Sequence, residues 1–320
     1  MKWPRWTRLA ALPSLAVETT APPSAAGLCG KLPGSADFVR ALPIDSAATA
    51  LDAWLVEAVA QLGTSDLQQA LGSVSFCFCV PARARALLGV LEPSRDSRGR
   101  AFPVAVFIDC GLGMWRAQPA SVWQAAQAFR SAARAALPNL GAATAAELEH
   151  VLGELPLLAA SPEDSGFSQA REFLQTALGA VAADAMFYAL QALAAACADP
   201  AATGSLVLDC PLRDGEDVAR WLVLAGELSA HTHRAWSAFH VANQARLFLI
   251  RGEPLPELLR LSTEAHLEHP RVWPLTTNDQ LALARARAQL AGVLPELLAP
   301  ATALDLSTLG NRLARHFSPQ

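Results

Sequence analysis

The stretch Leu87-Leu88-Gly89-Val90-Leu91-Glu92-Pro93-Ser94-Arg95-Asp96-Ser97-Arg98-Gly99-Arg100-Ala101-Phe102-Pro103-Val104-Ala105-Val106-Phe107-Ile108 decides the fold. Apolar runs at 87–91 and 102–108 flank a polar loop punctuated by Pro93, Gly99 and Pro103. Short apolar runs bounded by turn residues read as strands, and the near-continuous second run suits a strand covered on both faces. Just upstream, Val74-Ser75-Phe76-Cys77-Phe78-Cys79-Val80 is a further strand, whose alternation puts Cys77 and Cys79 on one face.

Outward from this core, residues 27–32 are an extended entry and Pro33-Gly34-Ser35 is a turn. A helix capped by Asp45 or Ser46 follows. Its apolar residues Leu51, Trp54, Leu55, Ala58, Val59 and Leu62 fall on one stripe, with Asp52, Glu57 and Gln61 off it. Trp54 on that stripe is a core residue. Helices are predicted over 120–136, 145–152, 168–198 (continuous or broken near Gly179) and 216–228. Strands are predicted at 205–210, 236–241 and 245–251, the last two paired around Asn243. Strands interleaved with helices imply a layered α/β fold. A seam falls near Gly252-Glu253-Pro254, after which the chain reads as helical, over 255–266, 278–294 and 306–316, with no further strand.

The segment before residue 27 is a Pro/Ser/Thr/Ala tract behind a basic start, with an apolar run interrupted by Pro13. It reads as a disordered leader rather than a secretion signal. The apolar stretch 177–198 carries Asp184 and Gln191 and suits a buried helix better than a lipid-spanning one. The expected organisation is therefore a leader (1–26), an α/β domain (27–252) and a helical C-terminal extension (253–320).

The 320 residues are 52% hydrophobic and only 17% charged, against about 25% in an average soluble domain. Alanine supplies much of the apolar fraction, so close helix packing is expected. A net charge of −4 with no basic block argues against general nucleic-acid binding. Lysine occurs only at Lys2 and Lys31. The cysteines, Cys29, Cys77, Cys79, Cys110, Cys197 and Cys210, lack zinc-site or disulfide-scaffold spacing and read as buried small hydrophobes.

Catalytic motifs do not emerge. There is no phosphate-gripping P-loop, no GxGxxG and no GxSxG elbow. Gly111-Leu112-Gly113 follows a strand but lacks the third glycine and the opening of a helix. His231 and His233 could share a face, with His240 as a third ligand if the fold allows, but the expectation is no metal. His266 and His269 suit a helix C-terminus. The loop 93–100 is the most unusual charged element. It reads either as an arginine-lined surface for an acidic or phosphorylated partner or as an internal latch. In the latch, Asp96 is held by Arg98 or Arg100, with Asp37 pairing across to the same arginines.

Gly30-Lys31-Leu32-Pro33, then Asp37-Phe38-Val39, then Pro93-Ser94, Asp96, Gly99-Arg100 and Phe102-Pro103 resemble the signature of the TagF (ImpM) family. That family is associated with type VI secretion systems, and Trp54 sits where its tryptophan-bearing helix is expected. The sequence departs from the pattern at Ala36, where the family has glycine, and at Phe76-Cys77-Phe78-Cys79, where it has a tryptophan. The resemblance implies a three-layer α/β/α sandwich with a mixed central sheet. It also implies a non-enzymatic, cytoplasmic regulatory protein that restrains secretion after translation by binding a forkhead-associated scaffold component. No cofactor, nucleic acid or membrane insertion is implied. The partner-binding residues would be Lys31, Asp37, Arg95, Asp96, Arg98 and Arg100, on a frame of Gly30, Pro33, Phe38, Pro93, Ser94, Gly99 and Pro103. The alternative is a phosphate- or small-anion-handling enzyme using Lys31, Asp37, Asp96 and Arg100.

Overall fold

The computed structural model describes residues 26–41, 46–62, 72–158, 170–179, 183–198, 205–230, 235–261, 269, 271–298 and 304–317. Its strands are β1 (Gly27–Lys31), β2 (Phe38–Ala41), β3 (Val74–Val80), β4 (Arg85–Glu92), β5 (Val104–Asp109), β6 (Leu206–Pro211), β7 (Trp236–Val241), β8 (Arg246–Arg251) and β9 (Val272–Pro274). They form one nine-stranded sheet in the order β2-β1-β5-β4-β3-β7-β8-β6-β9. Neighbours are antiparallel except β6 and β9, which run parallel, so the sheet is mixed.

The helices are α1 (Ser46–Leu62), α2 (Leu112–Ala117), α3 (Pro119–Ala125), α4 (Gln127–Ala136), α5 (Ala145–Gly153), α6 (Ala170–Ala177), α7 (Ala183–Ala198), α8 (Asp217–Ser229), α9 (Leu258–Leu261), α10 (Gln280–Leu290) and α11 (Leu306–Phe317). The strands alternate because both faces are covered. Phe76, Phe78, Leu87, Phe107, Phe239 and Phe248 pack beneath α1 and α9. Their neighbours Cys77, Cys79, Leu88, Val106, Ala238 and Leu249 pack against the remaining helices. The result is a three-layer α/β/α sandwich.

On α1 the whole expected stripe is buried, with Leu51, Leu55 and Ala58 at no more than 1% exposure. Full burial of each such leucine contributes about 1.5–3 kcal/mol. Trp54 lies against Phe78 and Phe239, at 5.6 and 5.5 Å between ring centroids, as a core residue. All six cysteines are buried and unpaired. Burial pushes the Cys29 and Cys197 thiols up to about 12, which leaves them protonated and inert.

Several boundaries differ from expectation. The helix expected over 120–136 divides at Ala126 into α3 and α4. Of the two readings of 168–198, the broken one holds, with α6 and α7 separated at the left-handed Gly179 (φ +58). Gly111 does open a helix, the short α2, because Asp109 accepts the Gly111 N–H at 2.8 Å. β2 was not expected as a strand. After Pro254 the chain is not purely helical, since β9 joins the sheet edge beside β6. Main-chain bonds from Val207 N–H to Arg271 O (2.9 Å) and Leu275 N–H to Asp209 O (3.0 Å) hold it there. A three-residue strand carries no pattern that sequence could show. The tail helices α10 and α11 pack on α7 and α8, with Arg287 bridging to Asp184 at 3.0 Å.

The centre of the sheet repeats a device. The β3–β4 and β7–β8 hairpins each turn through a 3-10 segment and a left-handed alanine, Ala84 (φ 52) and Ala245 (φ 50). Each is followed by an arginine bonded to an aspartate on the next strand out, Arg85 to Asp109 (2.7 Å) and Arg246 to Asp209 (2.5 Å). A side chain at such φ strains the backbone and glycine does not. Ala84→Gly and Ala245→Gly are each expected to raise stability by about 0.5–1 kcal/mol in chemical denaturation, after glycine's entropy cost is subtracted. Lower stability in both would show that the alanine methyls pack usefully. Among the described residues no helix is long and apolar enough to cross a membrane.

Candidate functional site

The β4–β5 connection is a locked extension of its hairpin. Phe102 N–H donates to Ser94 O (3.0 Å), Asp96 N–H to Arg100 O (3.1 Å) and Gly99 N–H to Asp96 O (2.9 Å). Gly99 supplies the positive φ (+76) that reverses the chain. The turn drives the Asp96 side chain inward, where it is 0% exposed. Its Oδ1 accepts the backbone N–H groups of Arg98 (3.0 Å) and Arg100 (2.9 Å). Its Oδ2 accepts Arg100 Nε (2.6 Å) and Lys31 Nζ (3.0 Å).

Lys31 is the last residue of β1 and is itself buried, at 6% exposure. Its ammonium sits 5.1 Å from the centre of the Phe38 ring, which meets Phe102 edge-on at 4.7 Å. Two more bonds tie the loop to the β1–β2 turn: Arg100 Nη2 to Ala36 O (2.7 Å) and Ser97 N–H to Ser35 O (2.8 Å). The Ala36 backbone is not left-handed, so alanine fits where the family pattern has glycine; its carbonyl accepts Arg100.

Burial pushes the Asp96 carboxyl up. The Arg100 N–H, the Lys31 ammonium, the Arg100 guanidinium and the Arg98 N–H together outweigh it, leaving the group well below the usual carboxylate range. Asp96 is therefore a fixed anion that organises its surroundings. The latch has Lys31 as its second cation, which spacing alone does not suggest. Arg98 joins it only through its backbone. Asp37 stays outside, its Oδ1 accepting the Phe38 N–H at 2.8 Å. Arg95, Arg98 and Asp37 are exposed, and among the described residues none of them has an ion-pair partner.

His231, His233 and His266 lie outside the described residues, as do Asp45 and nearly all of the leader. His240 is on β7, and the described residues include no group of His, Cys, Asp and Glu that could hold a metal. His269 accepts the Arg271 N–H through Nδ1 (3.2 Å) ahead of β9, and the residues just before it lie outside those described. Sequence reading misses a second polar cluster on the other face of the sheet. There Arg134 of α4 bonds Glu92 (2.9 Å), Ser73 (2.7 Å) and Ser75 (2.8 Å). These residues come from distant segments, and only an arginine inside an alanine-rich helix hints at the network.

Fold and loop together define an α/β sandwich protein whose distinctive charged element is a locked hairpin that displays arginines. Residues 27–155 match the family described as TagF N-terminal domain, type VI secretion system-associated. The chain therefore carries a TagF N-terminal domain, a type VI secretion system-associated module, over those residues. The crystal structure of PA0076 from Pseudomonas aeruginosa PAO1 is similar at 18% identity and a TM-score of 0.45, covering 78% of this chain and 98% of that one. No curated protein matches the chain.

Proposed function

We propose that this protein is a non-catalytic, cytoplasmic negative regulator of a type VI secretion system, acting by binding a forkhead-associated scaffold component. The observation that carries the reading is the latched loop within the TagF N-terminal domain. Its buried Asp96 and Lys31, with the half-exposed Arg100, hold a frame from which Arg95 and Arg98 project without an ion-pair partner among the described residues, with Asp37 exposed as well. Guanidinium groups carried on a loop whose backbone is already fixed recognise acidic or phosphorylated surfaces without the cost of ordering that backbone.

The enzyme alternative is weaker on this geometry. A general base must accept a proton, whereas Asp96 is buried and held ionised by four donors, and Lys31 is spent on Asp96.

Affinity capture of the tagged protein from its native cell tests the reading, alongside Arg95→Glu/Arg98→Glu. Wild-type protein is expected to recover a forkhead-associated scaffold, and the variant to lose at least about tenfold of it while keeping its melting temperature. Equal recovery by the folded variant would place the interface elsewhere. Stoichiometric recovery with baseplate or sheath parts would make the protein a permanent subunit instead.

A further inference from the structure

On the sheet face away from α1, a cleft of about 960 Å³ opens between α4, α6 and the loop entering α8. Ser75 and His240, cross-strand partners on β3 and β7, lie at its floor. Arg130 and Arg134 line it from α4, one helical turn apart and so on one face. Arg134 is satisfied by Glu92, Ser73 and Ser75.

Arg130 is not satisfied. It is 6% exposed, and its guanidinium has no hydrogen-bond acceptor among the described residues; Nη1 is fully buried without a partner. The Trp123 ring, 4.3 Å from Cζ, faces the charge as a cation–π partner. A buried cation lacking acceptors is costly, and the described residues hold here a charge they do not themselves neutralise. Burial, and then repulsion from Arg134, draw the Arg130 pKa down to about 10. Burial and the same two arginines hold His240 down to about 4, so its imidazole is neutral at physiological pH. The far wall is balanced by contrast. Arg220 there bonds Asp217 (2.8 Å) and Glu216 (3.3 Å), and the lining also includes Arg213, Glu172 and Asp214.

We propose that this cleft binds a small phosphorylated molecule, with its phosphate seated against Arg130 and Arg134 beside Ser75 and His240. A phosphomonoester dianion supplies the missing negative charge and the acceptor oxygens that a planar guanidinium fork engages. The volume is that of a pocket for a metabolite-sized ligand. None of these residues belongs to the loop latch, so the inference stands independently of the proposed secretion role.

The test is calorimetric titration of the full chain at constant ionic strength and neutral pH. The probes are inorganic phosphate and glucose 6-phosphate, with chloride and glucose as controls. Saturable one-site binding is expected for both phosphate probes and for neither control. Arg130→Met, which keeps a long side chain over Trp123, is expected to weaken binding at least about tenfold. Phosphate should also raise the wild-type melting temperature where chloride does not. The proposal is overturned if wild type gives no saturable heat with either phosphate probe. It is equally overturned if Arg130→Met binds as wild type does. Should that variant fail to fold, an unchanged wild-type melting temperature at high phosphate overturns it as well.

Discussion

Asp96→Asn is expected to lower the melting temperature by several degrees and to release the 93–100 loop, with Asp37→Asn nearly neutral beside it. The substitution keeps the size of the side chain and removes the only anion that faces both Lys31 and Arg100 among the described residues. Lys31 is too deeply placed in β1 to reach water without breaking the sheet end, so it becomes a buried cation without a partner. The new amide also turns NH₂ hydrogens toward one of the donor sets that Asp96 accepts. The same carboxylate makes the fold acid-sensitive with a defined sign. Its folded pKa is depressed, so its contribution is fully present above the unfolded value of about 3.9 and is lost as pH falls further. Wild-type stability measured by denaturation should therefore fall steeply below about pH 4, and Asp96→Asn should lack that component. Equal acid slopes would show that the latch contributes nothing to stability.

Gly30→Ala is the second large effect, with an expected loss of about 2–4 kcal/mol in chemical denaturation. Gly30 lies in β1 at φ +130, a conformation that side chains rarely adopt. An added Cβ would come within 2.2 Å of Pro103 O and 2.7 Å of Val104 Cα. Both are main-chain atoms of the neighbouring strand, so relief requires β1 and β5 to separate directly beside Lys31. Gly99→Ala is the internal control. It has a similar requirement for positive φ (+76) but nothing within 4 Å of the added methyl, so only strain of about 1 kcal/mol is expected. If the two variants lose the same stability, close approach of the strands is not what Gly30 provides.

Much of the layered core is legible from pattern alone. Residues 74–80 emerge as β3, and the α1 stripe is buried residue for residue, because burial on one face imposes a period that survives in the sequence. β2 and β9 escape notice for the opposite reason. They are short edge strands, half-buried or exposed, held by main-chain bonds that any side chains would permit. The matched β3–β4 and β7–β8 hairpins escape too, since a Val-x-x-x-Ala-Arg spacing has meaning only once the left-handed alanine is seen.

For the candidate site, the motif residues announce that a loop and a turn matter, and a latch of Asp96 to Arg100 is one of the two readings that the loop's charges allow. Charge type and order are written in the chain. Which charges meet is not, because Lys31 reaches Asp96 only after β1 has paired with β5 and brought two segments 65 positions apart in sequence to 3.0 Å. The same reason hides Arg130. Its lack of an acceptor among the described residues is a property of everything that packs around it, and local sequence carries no record of that packing.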